Sequence, residues 1–458
     1  MTSPDIVPLL ALVGLALPAA LLALLGAPLL FGRQLPERAV GHATASLTGL
    51  SAAAFAAALL AALARRTPPT VITLGDWFAA GESVFAVDLL LDPMGLTFAL
   101  ATASIAGMVA AFSHRYLHRE PGYQRYFVLY AMFLMGMLLV VLAGSIEVLF
   151  AGWELVGLGS ALLVGFFHDR PAPVRNALRV LVVYRMSDAA MLSAAILVHH
   201  LQGRASLALL FGRGGGGPAI SAGEATAIGL LLALAAAGKC AQLPFSGWLP
   251  RAMEGPTPSS AVYYGALSVH AGAYLLLRAS PILERSPVVC VLVGLMGATT
   301  AVYAAFARRV QTDVKSSLAF ASLTHVSIIL VEIALGLHRL AFLHLLANAS
   351  LRLFQFLRAP SVLHDFHEAR NALGESHAPA ARGPHPLRGP LGLWLYRLAL
   401  ERGHVEDLLD RAVVTPFLAL ARALDRAERW LADRLAGDSR AAGSARQAAP
   451  GDGGAPRG

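Results

Sequence analysis

The chain has 458 residues, 56% of them hydrophobic and 14% charged, with a formal net charge of +8. A soluble domain with a single core does not carry that balance. The positive groups sit in short loops and a C-terminal tail without interleaved aromatics, a pattern of membrane topology rather than of nucleic-acid binding.

Apolar stretches long enough to cross a hydrocarbon layer, which takes about 20 helical residues, recur from the N-terminus to about residue 357. They predict spans over residues 6–31, 42–64, 90–112, 126–143, 145–167, 174–200, 226–248, 257–277, 287–306, 315–337 and 339–357. The first has no basic start and no convincing cleavage site, so it reads as a retained span rather than a signal peptide. Between the second and third, β-branched and aromatic residues around "AAGES" predict a short hairpin at the membrane surface. Pro244 interrupts the seventh span and predicts a discontinuous helix there. The fold class is therefore an all-α polytopic membrane protein of about eleven transmembrane helices, followed by C-terminal amphipathic helices.

The division is a membrane bundle over 1–360, a Pro/Gly/His/Arg-rich linker over 361–390, amphipathic partner- or membrane-binding helices over 391–436 divided near Pro416, and a disordered tail over 437–458. Loops after odd-numbered spans carry twelve Arg and Lys residues and those after even-numbered spans seven. That excess predicts an N-terminus outside and a C-terminus in the cytoplasm.

Several ionisable residues fall inside the apolar spans: Glu147, Glu154, Arg185, Asp188, Lys239, His270, His325, Glu332, His344 and Arg352. Each costs roughly 3 kcal/mol or more in lipid unless it pairs, neutralises or meets water. Structural ion pairs between helices explain any one of them, whereas the whole set points to a polar pathway. Glu147 and Glu154 are two helical turns apart on one face, and Arg185 and Asp188 can pair with each other or reach across to a carboxylate.

Lys239 is one of only two lysines, with Lys315. An ammonium changes its proton affinity with its surroundings, as a guanidinium does not, so Lys239 is suited to take up and release a proton. The bland alternative places it near the membrane surface with its amine in water. The two cysteines, Cys240 and Cys290, lie in apolar segments without disulfide or metal spacing and read as packing residues.

"LFAGWELVGLGSALLVGFF", "GKCAQLPFSGWLPRAMEGPTPSSAV" and "VQTDVKSSLAFASLTHV" resemble the signature segments of the proton-translocating antiporter-like membrane subunits of respiratory complex I and of multisubunit cation/proton antiporters. The resemblance implies that Glu154, Asp188 and Lys239 carry the first half of a proton pathway, and it sets Lys315 as a bridge to a later segment. Two departures stand out: the membrane part ends near residue 357, where the long members of the family continue to a second half-channel with its own lysine, and Tyr264 occupies a usual histidine position while Asn348 and Arg352 replace other family residues. These altered segments, with "LRLFQFLRAPSVLHD" and the ending "LERGHVEDLLDRAVVTPFLALARALDRAERW", resemble a truncated branch of the family, the DabB-type membrane subunits of two-component inorganic carbon accumulation complexes.

That resemblance implies a non-enzymatic transport subunit of a bacterial cell inner membrane. It would conduct protons or sodium ions to energise carbon dioxide and bicarbonate uptake by a large cytoplasmic, zinc-binding, DabA-like subunit related to β-type carbonic anhydrases. No cofactor or metal site is expected in this chain, the zinc belonging to the partner. The expected pathway is Glu147, Glu154, Asp188, Lys239, His270, Lys315, His325 and His344, with Arg185 and Arg352 as supporting ion-pair residues. The alternative is a proton-pumping subunit of a complex I-like or cation/proton antiporter assembly, and a passive membrane anchor is a third reading.

Overall fold

The computed structural model describes residues 6–80, 83–202, 206–210, 220–373, 390–401, 411–412 and 415–435. The chain divides into two units, Met1–Gly403 and His404–Gly458. The first opens with α1 (Ile6–Leu30) and α2 (Glu37–Arg65), then the hairpin β1 (Thr70–Ala80) and β2 (Ser83–Leu91). Next come α3 (Pro93–Tyr116), α4 (Tyr123–Leu142), α5 (Ile146–Val164), α6 (Pro171–Gln202), the single turn α7 (Leu207–Leu210) and α8 (Ala222–Lys239). Short helices follow: α9 (Trp248–Arg251), α10 (Thr257–Ser260), α11 (Ser268–Arg278) and α12 (Ser280–Leu283). The unit closes with α13 (Pro287–Arg309), α14 (Val314–Ala334), α15 (His338–Leu373) and α16 (Pro390–Leu400).

Among the described residues ten helices are long and apolar enough to cross a membrane: α1 to α6, α8 and α13 to α15. The protein is thus a polytopic all-α membrane protein. The eleventh expected span, over 257–277, is present as a broken rod in which α10 leads into a π turn, Ala261–Ala266, and then α11. Every residue from Thr257 to Arg278 in it is buried. Protein sheathes the irregular backbone on all sides, the condition under which hydrocarbon depth tolerates it. By contrast α1, α2 and α13 bury only about a third of their most apolar windows and present leucine and valine rims outward.

The expected break near Pro244 is also present, and it falls earlier than the proline. Helix α8 ends at Lys239, Ala241 takes a left-handed φ of 52°, and the chain resumes as a 3-10 turn at Phe245–Gly247. The freed backbone groups find side-chain partners: Trp248 Nε1 donates to the Gly238 carbonyl at 2.9 Å, and Leu243 N–H donates to Thr300 Oγ1 at 3.1 Å. Gln242 donates to the Cys240 carbonyl at 3.0 Å and accepts from Ser327 Oγ at 3.1 Å. Lys315, expected to bridge to a later segment, reaches back instead. Its Nζ donates to the carbonyls of Met253 and Gly255 at 2.9 and 3.0 Å, so its chemistry is that of a cap on this irregular stretch.

The hairpin is longer than expected, pairing Thr70 with Leu91 through to Ala80 with Ser83. It is stitched to the α4–α5 connection: Gly144 N–H donates to the Asp88 carbonyl at 2.8 Å and Ser145 Oγ to the Ala86 carbonyl at 2.6 Å. A buried ion pair closes the same end of the bundle. Arg278, the residue after the expected span 257–277, donates to Asp92 Oδ2 at 2.7 Å, to the Tyr274 hydroxyl at 2.8 Å and to the Val141 carbonyl at 3.3 Å.

At the C-terminal side the apolar span of α15 ends at Ala359, close to the expected 357, but the helix does not stop there. It continues to Leu373, into the stretch expected as linker, while the remainder of that linker lies outside the described residues. Leu398 and Ala399 of α16 border an apolar groove against Val302, Tyr303 and Phe306 of α13. In the second unit α17 (Thr415–Leu435) is strongly amphipathic, with Pro416 in its first turn where a missing N–H costs nothing. The tail expected to be disordered, 437–458, lies outside the described residues.

Helices α4 and α5 touch backbone to backbone through glycine. A Cβ on Gly152 would stand 2.7 Å from the Gly136 carbonyl oxygen and 2.7 Å from Val140 N. Gly152→Val is therefore expected to cost about 1 to 3 kcal/mol through overpacking, read as a lower unfolding temperature in detergent. Gly49→Ala, where nothing lies within 4 Å, is expected to leave that temperature unchanged or raise it.

Candidate functional site

The break after Lys239 and the packing of α5, α6 and α8 bring four charged side chains into one row. Arg185 and Asp188, three residues apart on α6, pair at 2.9 Å, and the same guanidinium nitrogen makes a short ion pair with Glu154 of α5. Both alternatives open in the sequence are thus realised together. On its other side Asp188 Oδ1 lies 3.7 Å from Lys239 Nζ. The outer pair is partly exposed, 24% for the Glu154 side chain and 46% for Arg185, and the inner pair is enclosed, 4% for Asp188 and 0% for Lys239.

Lys239 is thus enclosed and does not face solvent. Its ammonium lies over two rings, 4.1 Å from the Tyr184 centroid and 5.3 Å from that of Trp153. Such faces attract a cation without accepting its protons. Among the described residues Lys239 Nζ and both Asp188 oxygens lack a hydrogen bond of good geometry. The pair is held by charge. Two glycines make the enclosure possible: a Cβ on Gly157 would lie 2.5 Å from Lys239 Nζ, and Gly238 lets Ser187 of α6 press against α8.

The other expected residues fall into three further groups. Glu147, in the first turn of α5, pairs its Oε1 with His199 Nε2 at 2.7 Å. His270 on α11 is fully buried, and its Nε2 accepts from the Asn348 side-chain amide at 3.0 Å. Asn348 Oδ1 in turn accepts from Arg352 Nε at 3.2 Å, and Arg352 makes a short hydrogen bond to Gln355. The ion-pair role expected of Arg352 is not what the described residues offer it; amides are its partners. His325 Nδ1 meets His344 Nε2 at 3.0 Å, and His344 Nδ1 meets Glu332 Oε1 at 2.9 Å, a relay between α14 and α15. Tyr264 is buried in the π turn and donates to the Ser160 carbonyl at 3.3 Å.

His199 had no signal in the sequence, being a histidine at a helix end, 52 residues from its partner. The aromatic walls at Trp153 and Tyr184 were equally silent, because each is the immediate neighbour of a charged residue and a helix turns consecutive residues in different directions. Cys240 is buried and Cys290 half-buried, both free. Among the described residues no group of three or more His, Cys, Asp and Glu gathers to hold a metal ion.

A multi-pass bundle with two broken helices and a charged row at the first break defines a polytopic membrane protein with ionisable groups sealed in its interior. The chain belongs to the family described as NADH:quinone oxidoreductase/Mrp antiporter, transmembrane, which matches residues 143–375; the chain 5 N-terminus of NADH-ubiquinone oxidoreductase (complex I) matches residues 77–127. It is similar to NADH-quinone oxidoreductase subunit L of Mycobacterium tuberculosis, 33% identical over 351 residues, covering 75% of this chain and 54% of that one. NADH-ubiquinone oxidoreductase chain 5 of Cryptococcus neoformans is 32% identical over 296 residues, covering 65% and 44%.

The chain thus spans about half the length of the curated relatives it matches. Among solved structures, the Mrp complex from Dietzia sp. superposes with a TM-score of 0.63 at 30% identity, over 80% of this chain and 38% of that one. The archaeal membrane-bound sulfane sulfur reductase superposes with 0.64 at 18% identity, over 90% and 87%, a likeness of fold alone.

Removing one partner of a buried pair leaves an uncompensated charge and costs about 3 to 5 kcal/mol, whereas removing both is far milder. Asp188→Asn is thus expected to destabilise the protein more than Asp188→Asn combined with Lys239→Met. The check is a double-mutant cycle of unfolding in detergent. Additive effects would mean that the two groups do not interact.

Proposed function

We propose that the bundle conducts protons through Glu154, Asp188 and Lys239, with Arg185 setting the charge between the two acids. The observation that carries this reading is Lys239 itself, a fully enclosed ammonium 3.7 Å from a buried carboxylate. An amine held this way changes protonation when its counter-ion moves, and Asp188 has a second cation, Arg185, to which it can turn. His270 and the His325–His344–Glu332 relay extend the titratable groups toward α14 and α15. Lys315 belongs to this reading only as the cap that holds the broken stretch in shape.

We further propose that conduction energises inorganic carbon uptake by a large cytoplasmic zinc-binding partner of the DabA type, in a bacterial inner membrane with the C-terminus cytoplasmic. The support is the sequence likeness of the 256–278 and 351–365 segments and of the C-terminal helices to DabB-type subunits. An amphipathic α17 carrying Leu420, Leu424 and Leu431 on one side suits attachment to such a partner. A membrane potential supplies about 2.3 kcal/mol per charge per 100 mV, enough to bias a two-state element in the partner. A second reading, a subunit of a respiratory or Mrp-type assembly, is favoured by the identity to the relatives above.

Growth in air of a strain lacking carbonic anhydrase, co-expressing the chain with its partner, tests the first reading. Lys239→Ala and Glu154→Gln are expected to abolish rescue at normal protein levels; rescue equal to wild type contradicts the pathway. Co-purification separates the two assemblies: a large zinc protein supports carbon uptake, and several small membrane subunits support the respiratory or Mrp reading.

A further inference from the structure

The Glu147–His199 pair is an intramembrane acid–base couple that neither the family motifs nor the charged row absorbs, and it lies apart from the Glu332–His344 couple of α14 and α15. Both side chains are nine-tenths buried, at 10% exposure each, and they meet at 2.7 Å. Glu147 stands in the first turn of α5 and His199 in the last turn of α6, so the pair lies at the end of the bundle to which the β-hairpin is stitched. The hairpin covers it: the Phe85 ring of β2 stacks on the His199 imidazole at 4.3 Å and 27°, and Phe78 of β1 stacks on Phe85 at 4.0 Å.

The two remaining polar atoms of the pair, His199 Nδ1 and Glu147 Oε2, are buried and without a hydrogen-bond partner among the described residues. A buried polar atom left unbonded costs free energy, so these two atoms are the places where the pair gains from meeting water or an incoming proton. Glu147 lies seven residues from Glu154 on the same helix, about 10 Å along the axis at 1.5 Å per residue. That interval lies between this pair and the row that ends in Lys239.

Resting on the proton-conduction reading above, we infer that His199 and Glu147 form the proton-exchange site at the hairpin end of the pathway. A proton from the hairpin side binds at His199 Nδ1 while the proton on Nε2 passes to Glu147 Oε1. The imidazole returns to a neutral tautomer, and Glu147, now protonated, faces the Glu154 side of α5. The aromatic cover keeps the exchange at one atom. Other titratable groups nearby do not substitute for it: Asp88 of β2 accepts from Thr73 Oγ1 at 2.7 Å, and His200, the next residue, is turned outward and exposed.

The test is proton flux into proteoliposomes holding the full chain, driven by a potassium diffusion potential and read with a trapped pH dye. His199→Ala is expected to lower flux by about tenfold or more, and added imidazole is expected to restore several-fold of it, as a merely structural histidine would not allow. Glu147→Gln is expected to lose flux without imidazole rescue. Lys239→Ala serves as the control for the underlying reading. If it abolishes flux while His199→Ala and Glu147→Gln conduct like wild type, the exchange site is wrong and the pathway stands. Loss in His199→Ala that imidazole leaves untouched, at normal protein levels, also overturns the site. If wild type does not conduct, or Lys239→Ala conducts equally well, it is the conduction reading that falls.

Discussion

A lysine ammonium removed from water must share its charge with a carboxylate or give up its proton. That constraint organises the middle of this protein. Asp188 supplies the carboxylate, Arg185 and Glu154 extend it into an alternating row, and Tyr184 and Trp153 present ring faces where a hydrogen-bond acceptor would have fixed the proton. The small residues beside the row follow from the same demand, since Gly157 leaves the volume that Lys239 Nζ occupies.

The second constraint is the hydrocarbon's intolerance of unpaired backbone. Ending α8 at Lys239 puts the charge at a helix terminus rather than mid-rod, but it releases carbonyls and N–H groups deep in the fold. Trp248, Thr300, Gln242 and Lys315 collect them. The π turn at Ala261–Ala266 is the companion break, and Gly272 just after it lets α11 approach α8 to within contact of Ala236 and Cys240. His270, two residues before Gly272 on the same helix, meets Asn348 of α15. Buried charge and irregular backbone share this location because only a surrounded segment tolerates either.

The helices and the charged residues were legible in the sequence because both are local signals. An apolar run of about 20 residues reads as a span, and an acid within it is an anomaly wherever it points. Which anomalies meet was less legible. Arg185 and Asp188 share a helix and could be paired by spacing, whereas Glu147 with His199 and Asp92 with Arg278 join residues 52 and 186 apart, and only the packing of the bundle selects them. The same limit explains Lys315: its motif named the residue, but not that its amine would turn toward Met253 and Gly255. The apolar span of α15 ends at Ala359, close to the expected 357, but the helix itself runs on to Leu373, an extension hidden for another reason. Hydropathy marks where lipid ends, and a helix that continues beyond it in polar sequence leaves no mark in that signal.

Because the chain contains only two lysines, labelling with nitrogen-15 at the lysine side chain gives two signals, and Lys315 is an internal reference. Nuclear magnetic resonance of that sample in lipid reads the protonation and exchange of Lys239 directly. The account predicts that the Lys239 signal is slow to exchange with water and shifts when Asp188 is changed to Asn, while the Lys315 signal stays in place. A Lys239 ammonium in rapid exchange with bulk water and indifferent to Asp188→Asn would contradict it.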